Sequence, residues 1–498
     1  MSVKGSIVAT LASRVYLAIV GLVMLPVYLR QMGFEAYGLV ALFFVLQVWF
    51  QLLDLGLSPT VARQAARHRA GALSAQDFRQ LLRSLEGVFL GVSALAALTL
   101  FLGADHIARG WLQIEHLPVQ VAAHSVKMMA LCIALRLLGE LYRGVILGYE
   151  RLAWLAGFNV FFGTLRLVVV VPVLFWLGSR PAVFFGFQLA VMALETTLLL
   201  VQAYRLVPRA GPVGTRWRLG PLRQVFAFSL VMSLASLVWI TLSQIDKLLL
   251  SGLLPLAAYG EFSLAVAAAA GVLLVSGSLT DVLLPRMTHL YAQGERAALT
   301  ALYRRATQWA GISAWSIACV LAFHAEHVLW VWTGDAALAA RAAPVLGLYA
   351  LGNAALAIGA FPYYLQFAEG RLRLHLVGTG LMVALLLPCV VWASSRFGGV
   401  GAAGVWLGVN LLYLLLWTPV AHARFLPGMH GCWMAQDVLP IAALAALAAG
   451  ACRALPWPST RLNAGMMLVG VSAAVLIASF GASSWARAAL RRPAQTLA

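Results

Sequence analysis

Residues 124–177 read HSVKMMALCIALRLLGELYRGVILGYERLAWLAGFNVFFGTLRLVVVVPVLFWL. Two apolar runs, 124–147 and 154–177, flank a short turn holding Gly148, Glu150 and Arg151. An α-helix needs about 20 mostly apolar residues to cross the hydrocarbon of a bilayer, and both runs exceed that length. Each run also holds groups that a bilayer resists. Arg136, Glu140 and Arg143 stand at i, i+4 and i+7 on one helical face, and Asn159 and Arg166 repeat at seven. The stretch therefore predicts two membrane helices with polar stripes, joined by a tight hairpin.

Extending outward, such runs recur near 6–29, 38–58, 84–103, 182–203, 224–245, 257–283, 309–331, 344–367, 376–395, 402–421, 437–452 and 463–483. The pattern predicts an all-α polytopic membrane protein of about fourteen spans. Composition agrees: 62% of the 498 residues are hydrophobic, 10% are charged, and the mean hydropathy is +0.88. A soluble protein is nearer half apolar and a quarter charged. The opening MSVKGSIVATLASRVYLAIVGLVMLPVYL has an apolar stretch too long for a signal peptide and no small-residue cleavage site, so it reads as a retained first span.

The net charge of +18 is an orientation signal before it is a partner signal. With the N-terminus in the cytoplasm, 23 of the 35 Lys and Arg fall in cytoplasmic segments, 8 fall outside and 4 lie within spans. That asymmetry is the positive-inside pattern, and it predicts both termini in the cytoplasm. The charges lie in short clusters between apolar runs, so no soluble basic face exists for nucleic acid.

Catalytic motifs are missing. The five cysteines make no CxxC spacing and imply no disulfide framework. No HExxH occurs among the histidines, so no metal is expected, and GGVGAAG at 398–404 lacks the GK[ST] ending of a phosphate loop. Loops of at most about 20–25 residues leave no room for a glycosyltransferase or polymerase domain. The expectation is a protein that is not an enzyme and needs no cofactor, with coupling to a Na+ or H+ gradient left open.

Phrases recur at offsets near 220 residues. PVYLRQMGFEAYGLVAL from Pro26 aligns with DKLLLSGLLPLAAYGEFSLA from Asp246, and both contain Ala-Tyr-Gly. LLDLGLSPTVAR around Asp54 aligns with SLTDVLLPRM around Asp281, and GELYRGVILGYERL from Gly139 with GAFPYYLQFAEGRLRL from Gly359. Six helices per repeat would orient both copies alike, related by an axis along the membrane normal. The predicted organisation is an N-lobe (1–203), a cytoplasmic linker (204–223), a C-lobe (224–421), and two further helices with a tail (422–498).

These phrases carry a resemblance. Arg14 in the first span, PVYLRQMGFEAYG, LLDLGLSPTVARQAARHRAG, the ILGYERL turn and SQIDKLLLSGLLPLAAYGEFSLA are similar to Wzx-type oligosaccharide-lipid flippases. The superfamily also holds multidrug extruders and lipid II flippases, and the resemblance covers about residues 1–440. It implies a V-shaped bundle of two pseudo-symmetric six-helix lobes in the bacterial inner membrane. It further implies transfer of undecaprenyl-pyrophosphate-linked glycan to the periplasmic leaflet by alternating access through a cationic cavity, for surface polysaccharide biosynthesis. Membrane lipid, a polysaccharide polymerase and chain-length proteins are the implied partners. A cation-coupled multidrug extruder of the same fold, or a lipid II flippase, is the alternative.

Charges inside spans usually face a cavity or a partner, because each costs at least about 2.5–3.5 kcal/mol at the bilayer centre. The candidate cavity residues are Arg14, Arg136, Arg166, Glu140, Glu195, Asn159 and Gln188. The competing reading is structural: Arg14 snorkels to the headgroups, and Arg136–Glu140 and Arg166–Glu195 are ion pairs. Ser229, Ser233, Ser236 and Ser243 share a face of span 7 and suit close helix packing. Asp54 and Asp281 occupy matching helix ends, and Asp246 and Lys247 an outer end, so each suits coupling or helix-end structure.

Overall fold

The computed structural model describes residues 3–207, 220–484 and 486; side chains at 3–4, 6–7, 220–236 and 275–282 are outside that description. The side chains of Asp281, Ser229, Ser233 and Ser236, most of the linker and the arginine-bearing tail therefore lie outside that description. Helices account for every named element, and no strand occurs among the described residues. The chain divides into two compact units, Met1–Gly260 and Glu261–Ala498.

The first unit contains α1 (Val3–Met32), α2 (Phe34–Phe50), α3 (Leu57–Arg69), α4 (Ala75–His106), α5 (Val119–Gly148), α6 (Leu152–Thr164), α7 (Val170–Leu177), α8 (Pro181–Leu206) and α9 (Gly220–Leu253). α5 packs between α4 and α8, while α6 lies along α1. Beyond these run α10 (Leu256–Ala269), α11 (Gly271–Ala292), α12 (Arg296–Phe323), α13 (Ala325–Thr333), α14 (Ala336–Gly359), α15 (Phe361–Ala368), α16 (Arg373–Leu412), α17 (Thr418–Phe425), α18 (Met429–Trp433), α19 (Leu439–Ala451) and α20 (Arg461–Gly481).

Twelve stretches among the described residues are long and apolar enough to cross a membrane. One of them, Arg373–Phe425, spans 53 residues. At about 1.5 Å per residue it is far longer than one crossing needs. Gly398 breaks it with φ 58° and ψ −141°. Two helices therefore meet at Gly398, where the Gly-rich segment 398–404 turns the chain from one apolar run into the next.

Other boundaries shift for local reasons. The second span, expected to reach 58, ends at Asp54, where Leu55 (φ 49°) and Gly56 (φ 68°) turn the chain left-handed. Asp54 Oδ1 then accepts from the Ser58 backbone N–H at 3.1 Å and from Ser58 Oγ at 2.5 Å, capping α3. This short helix buries Leu57, Val61 and Ala65 and exposes Arg63, Arg67 and Arg69. α4 begins nine residues before the expected third span, at a Ser74 cap whose Oγ accepts from the Asp77 backbone N–H at 3.1 Å. The thirteenth span, read as short, extends over Met429–Ala454.

The repeated phrases form repeated geometry. Glu150 sits at φ 56°, its N–H bonded to the Leu147 carbonyl and that of Arg151 to Ile146. Gly370 sits at φ 72°, its N–H bonded to Phe367 and that of Arg371 to Gln366, the same cap about 220 residues later. The two Ala-Tyr-Gly phrases meet each other. A side chain at Gly38 would strike the Leu256 carbonyl, and one at Gly260 would come within 2.8 Å of the Phe34 carbonyl. In the repeat alignment Leu256 stands for Phe34 and Gly260 for Gly38, so the two contacts are reciprocal. Tyr37 and Tyr259 are both buried beside them.

Candidate functional site

α5 sets the site because its polar residues recur on one face. Arg136, Gly139, Glu140 and Arg143 line a cavity of about 260 Å³ within the first unit. α6 adds Asn159, and α8 adds Met192, Glu195, Thr196 and Leu199. Leu17 of α1 and Arg166 complete the lining.

One carboxylate organises the cavity. Glu195 Oε1 accepts from Arg143 Nη2, and Glu195 Oε2 lies 3.5 Å from Arg166 Nη1. The second guanidinium nitrogen, Arg143 Nη1, donates to Asn159 Oδ1. Glu140 stands farther off, 3.9 Å from Arg143 Nε. Three arginines face two carboxylates, which leaves one net positive charge inside the apolar bundle. Such a site attracts an anion.

Arg166 owes its placement to a wide turn. Residues Leu165–Val169 form a π-helical turn between α6 and α7. The extra residue disrupts the regular ladder and leaves carbonyls to be satisfied elsewhere. Gln188 Nε2 donates to the Arg166 carbonyl at 2.9 Å, and Tyr28 Oη donates to the Leu167 carbonyl at 2.5 Å. Gln188 is therefore a backbone anchor and does not line the cavity.

Of the candidates from sequence, Arg136, Glu140, Asn159, Arg166 and Glu195 come together here. The Arg166–Glu195 pair forms, but the expected Arg136–Glu140 pair does not. Arg136 Nη1 instead donates to Gln47 Oε1 on α2 at 3.1 Å, and Glu140 turns toward Arg143. An acid preceding its base along a helix is the better order, and Glu140 precedes Arg143 but follows Arg136.

The remaining candidates lie elsewhere. Arg14 is exposed one turn before Leu17 and does not line the cavity. Asp54 caps α3. Asp246 is fully buried, 3.2 Å from Lys247 Nζ, which donates to the Ser243 carbonyl at 2.6 Å. Arg143 was the omission: its helical face pointed to the site, but its place near the hairpin assigned it to a loop.

Among the described residues one cluster has the composition of a metal site, Glu35 with Glu115 and His116. Its buried carboxylate already accepts the backbone N–H groups of Glu115, His116 and Leu117 at 2.6–2.9 Å. It is a clasp on the 115–117 loop.

Several solved structures share the fold. A lipid II flippase MurJ in an inward closed conformation superimposes with a TM-score of 0.74 at 12% identity, covering 96% of this chain and 99% of that one. An inward-facing MATE-family multidrug transporter of the MOP superfamily gives 0.68 at 13%, covering 82% and 94%. A MOP transporter from Pyrococcus furiosus, described as having a binding pocket of reversed polarity, gives 0.55 at 15%, covering 85% and 98%. These likenesses show the fold of a multi-pass membrane transporter. No curated protein matches the chain in sequence. Residues 2–291 match the polysaccharide biosynthesis protein family, and the chain belongs to it.

Proposed function

We infer that the chain is a flippase for undecaprenyl-pyrophosphate-linked oligosaccharide, carrying it from the cytoplasmic to the periplasmic leaflet of the bacterial inner membrane. The carrying observation is the cationic cavity of Arg136, Arg143 and Arg166 inside a membrane bundle. A diphosphate diester has about two negative charges, which a dry bilayer rejects. Arginine stays charged and grips phosphate oxygens in pairs. About 260 Å³ is small beside ligand pockets of roughly 300–1,000 Å³, which suits a diphosphate with its sugars and prenyl chain outside. Fourteen crossings, both termini cytoplasmic and alternating access between repeats belong to this reading. A multidrug extruder for organic cations would need the opposite charge balance.

The test is complementation of a strain lacking its own surface-polysaccharide flippase. Arg143→Ala and Arg166→Ala should abolish export at normal protein levels, and the Lys variants should retain part of it. Full export by a well-expressed Arg14→Ala, Arg136→Ala, Arg166→Ala triple variant would end the cationic-cavity reading. If losses track protein abundance and a matched change at Glu195 restores them, the arginines are structural.

A further inference from the structure

The cavity already contains an anion in the place an incoming phosphate would take. Glu195 places one carboxylate oxygen on Arg143 and the other on Arg166, the bridging geometry of a phosphate between two guanidinium groups. The residue is only 5% exposed, so once displaced it has little water to turn to. Glu140 differs: it lies 3.9 Å from a single arginine, and its side chain is 24% exposed.

Charge counting gives the consequence. Arg136, Arg143 and Arg166 against Glu140 and Glu195 make +1. A diphosphate diester brings about two negative charges, and the loaded cavity would stand at −1. A buried carboxylate that has lost both cationic partners takes a proton in preference to staying ionised. We propose that Glu195 is the resident counter-ion of the anion site, and that a sugar-linked diphosphate displaces it while one proton from water enters the site on the Glu195 carboxylate. The loaded cavity is then neutral.

The groups around Glu195 come from five elements. α5 presents Arg136, Glu140 and Arg143, with Cys132 within electrostatic reach of Arg166; the π-helical turn presents Arg166; α6 presents uncharged Asn159. From α1 comes apolar Leu17, and α8 itself adds only Met192, Thr196 and Leu199. Asp54, beyond the lining, senses only the charge of Glu140. Of the two carboxylates in the lining, only Glu195 spans two arginines, and Glu140 stands 3.9 Å from one, so Glu195 is the group that an incoming anion strips of both partners.

The proposal rests on the diphosphate reading of the cavity, and the experiment separates the two. The full chain in nanodiscs is titrated calorimetrically with a short-chain prenyl-diphospho-glucose, whose diphosphate has no group titrating near neutral pH. UDP-glucose serves as the soluble diphosphate. Buffers of different ionisation enthalpy count the protons. Wild type should take up about one proton per ligand, and affinity should fall about tenfold per pH unit through the titrating range. Glu195→Gln should bind at least about tenfold tighter at pH 8, with no proton uptake and a flat pH profile. Binding that is lost in Arg143→Ala but proceeds in wild type without proton uptake overturns the counter-ion proposal and leaves the diphosphate cavity standing. Equal uptake by wild type and Glu195→Gln overturns it as well. No binding by either protein overturns both readings. The wild-type proton count stands even if Glu195→Gln fails to fold. Binding of UDP-glucose as tight as that of the prenyl compound assigns the site to soluble nucleotide sugars.

Discussion

The helix α5 and its repeat counterpart, α14 continued by α15, share a backbone plan and differ in what they hold. In the alignment that joins Gly139 to Gly359, Arg136 stands opposite Leu356, Glu140 opposite Ala360 and Arg143 opposite Tyr363. Both copies lead to the same left-handed cap, at Glu150 and Gly370. One copy surrounds a charged cavity, and its counterpart carries aliphatic and aromatic side chains at the same steps. Repetition specifies where helices turn; the chemistry is written into one copy.

The largest effect should come from erasing the charged half of this contrast. Arg143 makes two charge-assisted contacts, each worth roughly 1.5–3 kcal/mol. Arg143→Ala should lower export at least roughly 10- to 100-fold at matched protein levels, measured by surface polysaccharide per cell. An unchanged rate would mean that the polar stripe of α5 is no more functional than the matching stripe of its counterpart.

Next comes the reverse substitution. Leu356→Arg copies Arg136 into a helix with no carboxylate at the equivalent of Glu140, where Ala360 stands. An uncompensated arginine within a span costs about 2.5–3.5 kcal/mol or more. Membrane-extracted protein should fall several-fold, and normal yield would show that the second copy tolerates charge as well as the first does.

The shared part of the plan predicts equal effects. Gly38→Ala and Gly260→Ala each press a methyl group onto a carbonyl of the other phrase, at Leu256 and Phe34. Each should cost about 1–3 kcal/mol in thermal unfolding. A large loss from one and none from the other would break the reciprocity.

The smallest effect lies at the caps. Gly370→Ala should destabilise by about 1 kcal/mol, because a left-handed residue with a Cβ is strained. Glu150→Gly should relieve the matching strain, offset in part by loss of the exposed Arg69–Glu150 ion pair. A small rise in melting temperature is expected, and a clear fall would show that the ion pair outweighs the strain.

Much of this was legible in the sequence because a bilayer leaves few options. Apolar runs of fixed length define helices without tertiary information. The polar faces of α5 and α6 followed from spacing, and the Arg166–Glu195 pair was one of the two readings those faces offered. Three things did not. Arg143 lay close to a hairpin, and only the packed bundle shows its guanidinium reaching inward to Asn159 and Glu195. The π-helical turn at Arg166 has no compositional signature, since it depends on Gln188 and Tyr28 from distant helices. Arg14 read as a cavity residue from its place inside the first span and from the family resemblance, but the structure exposes it one turn away from the lining.

The reciprocal approach of Gly38 to Leu256 and Gly260 to Phe34, all within the first unit, repeats on a small scale the logic of a homodimer contact. In a true homodimer every substitution at such a patch is made twice, and its cost is doubled across the symmetry axis. In a single chain each glycine is substituted alone, although each still lies against the backbone of the other phrase. Helices away from the patch are free to diverge, one toward arginine and its counterpart toward leucine.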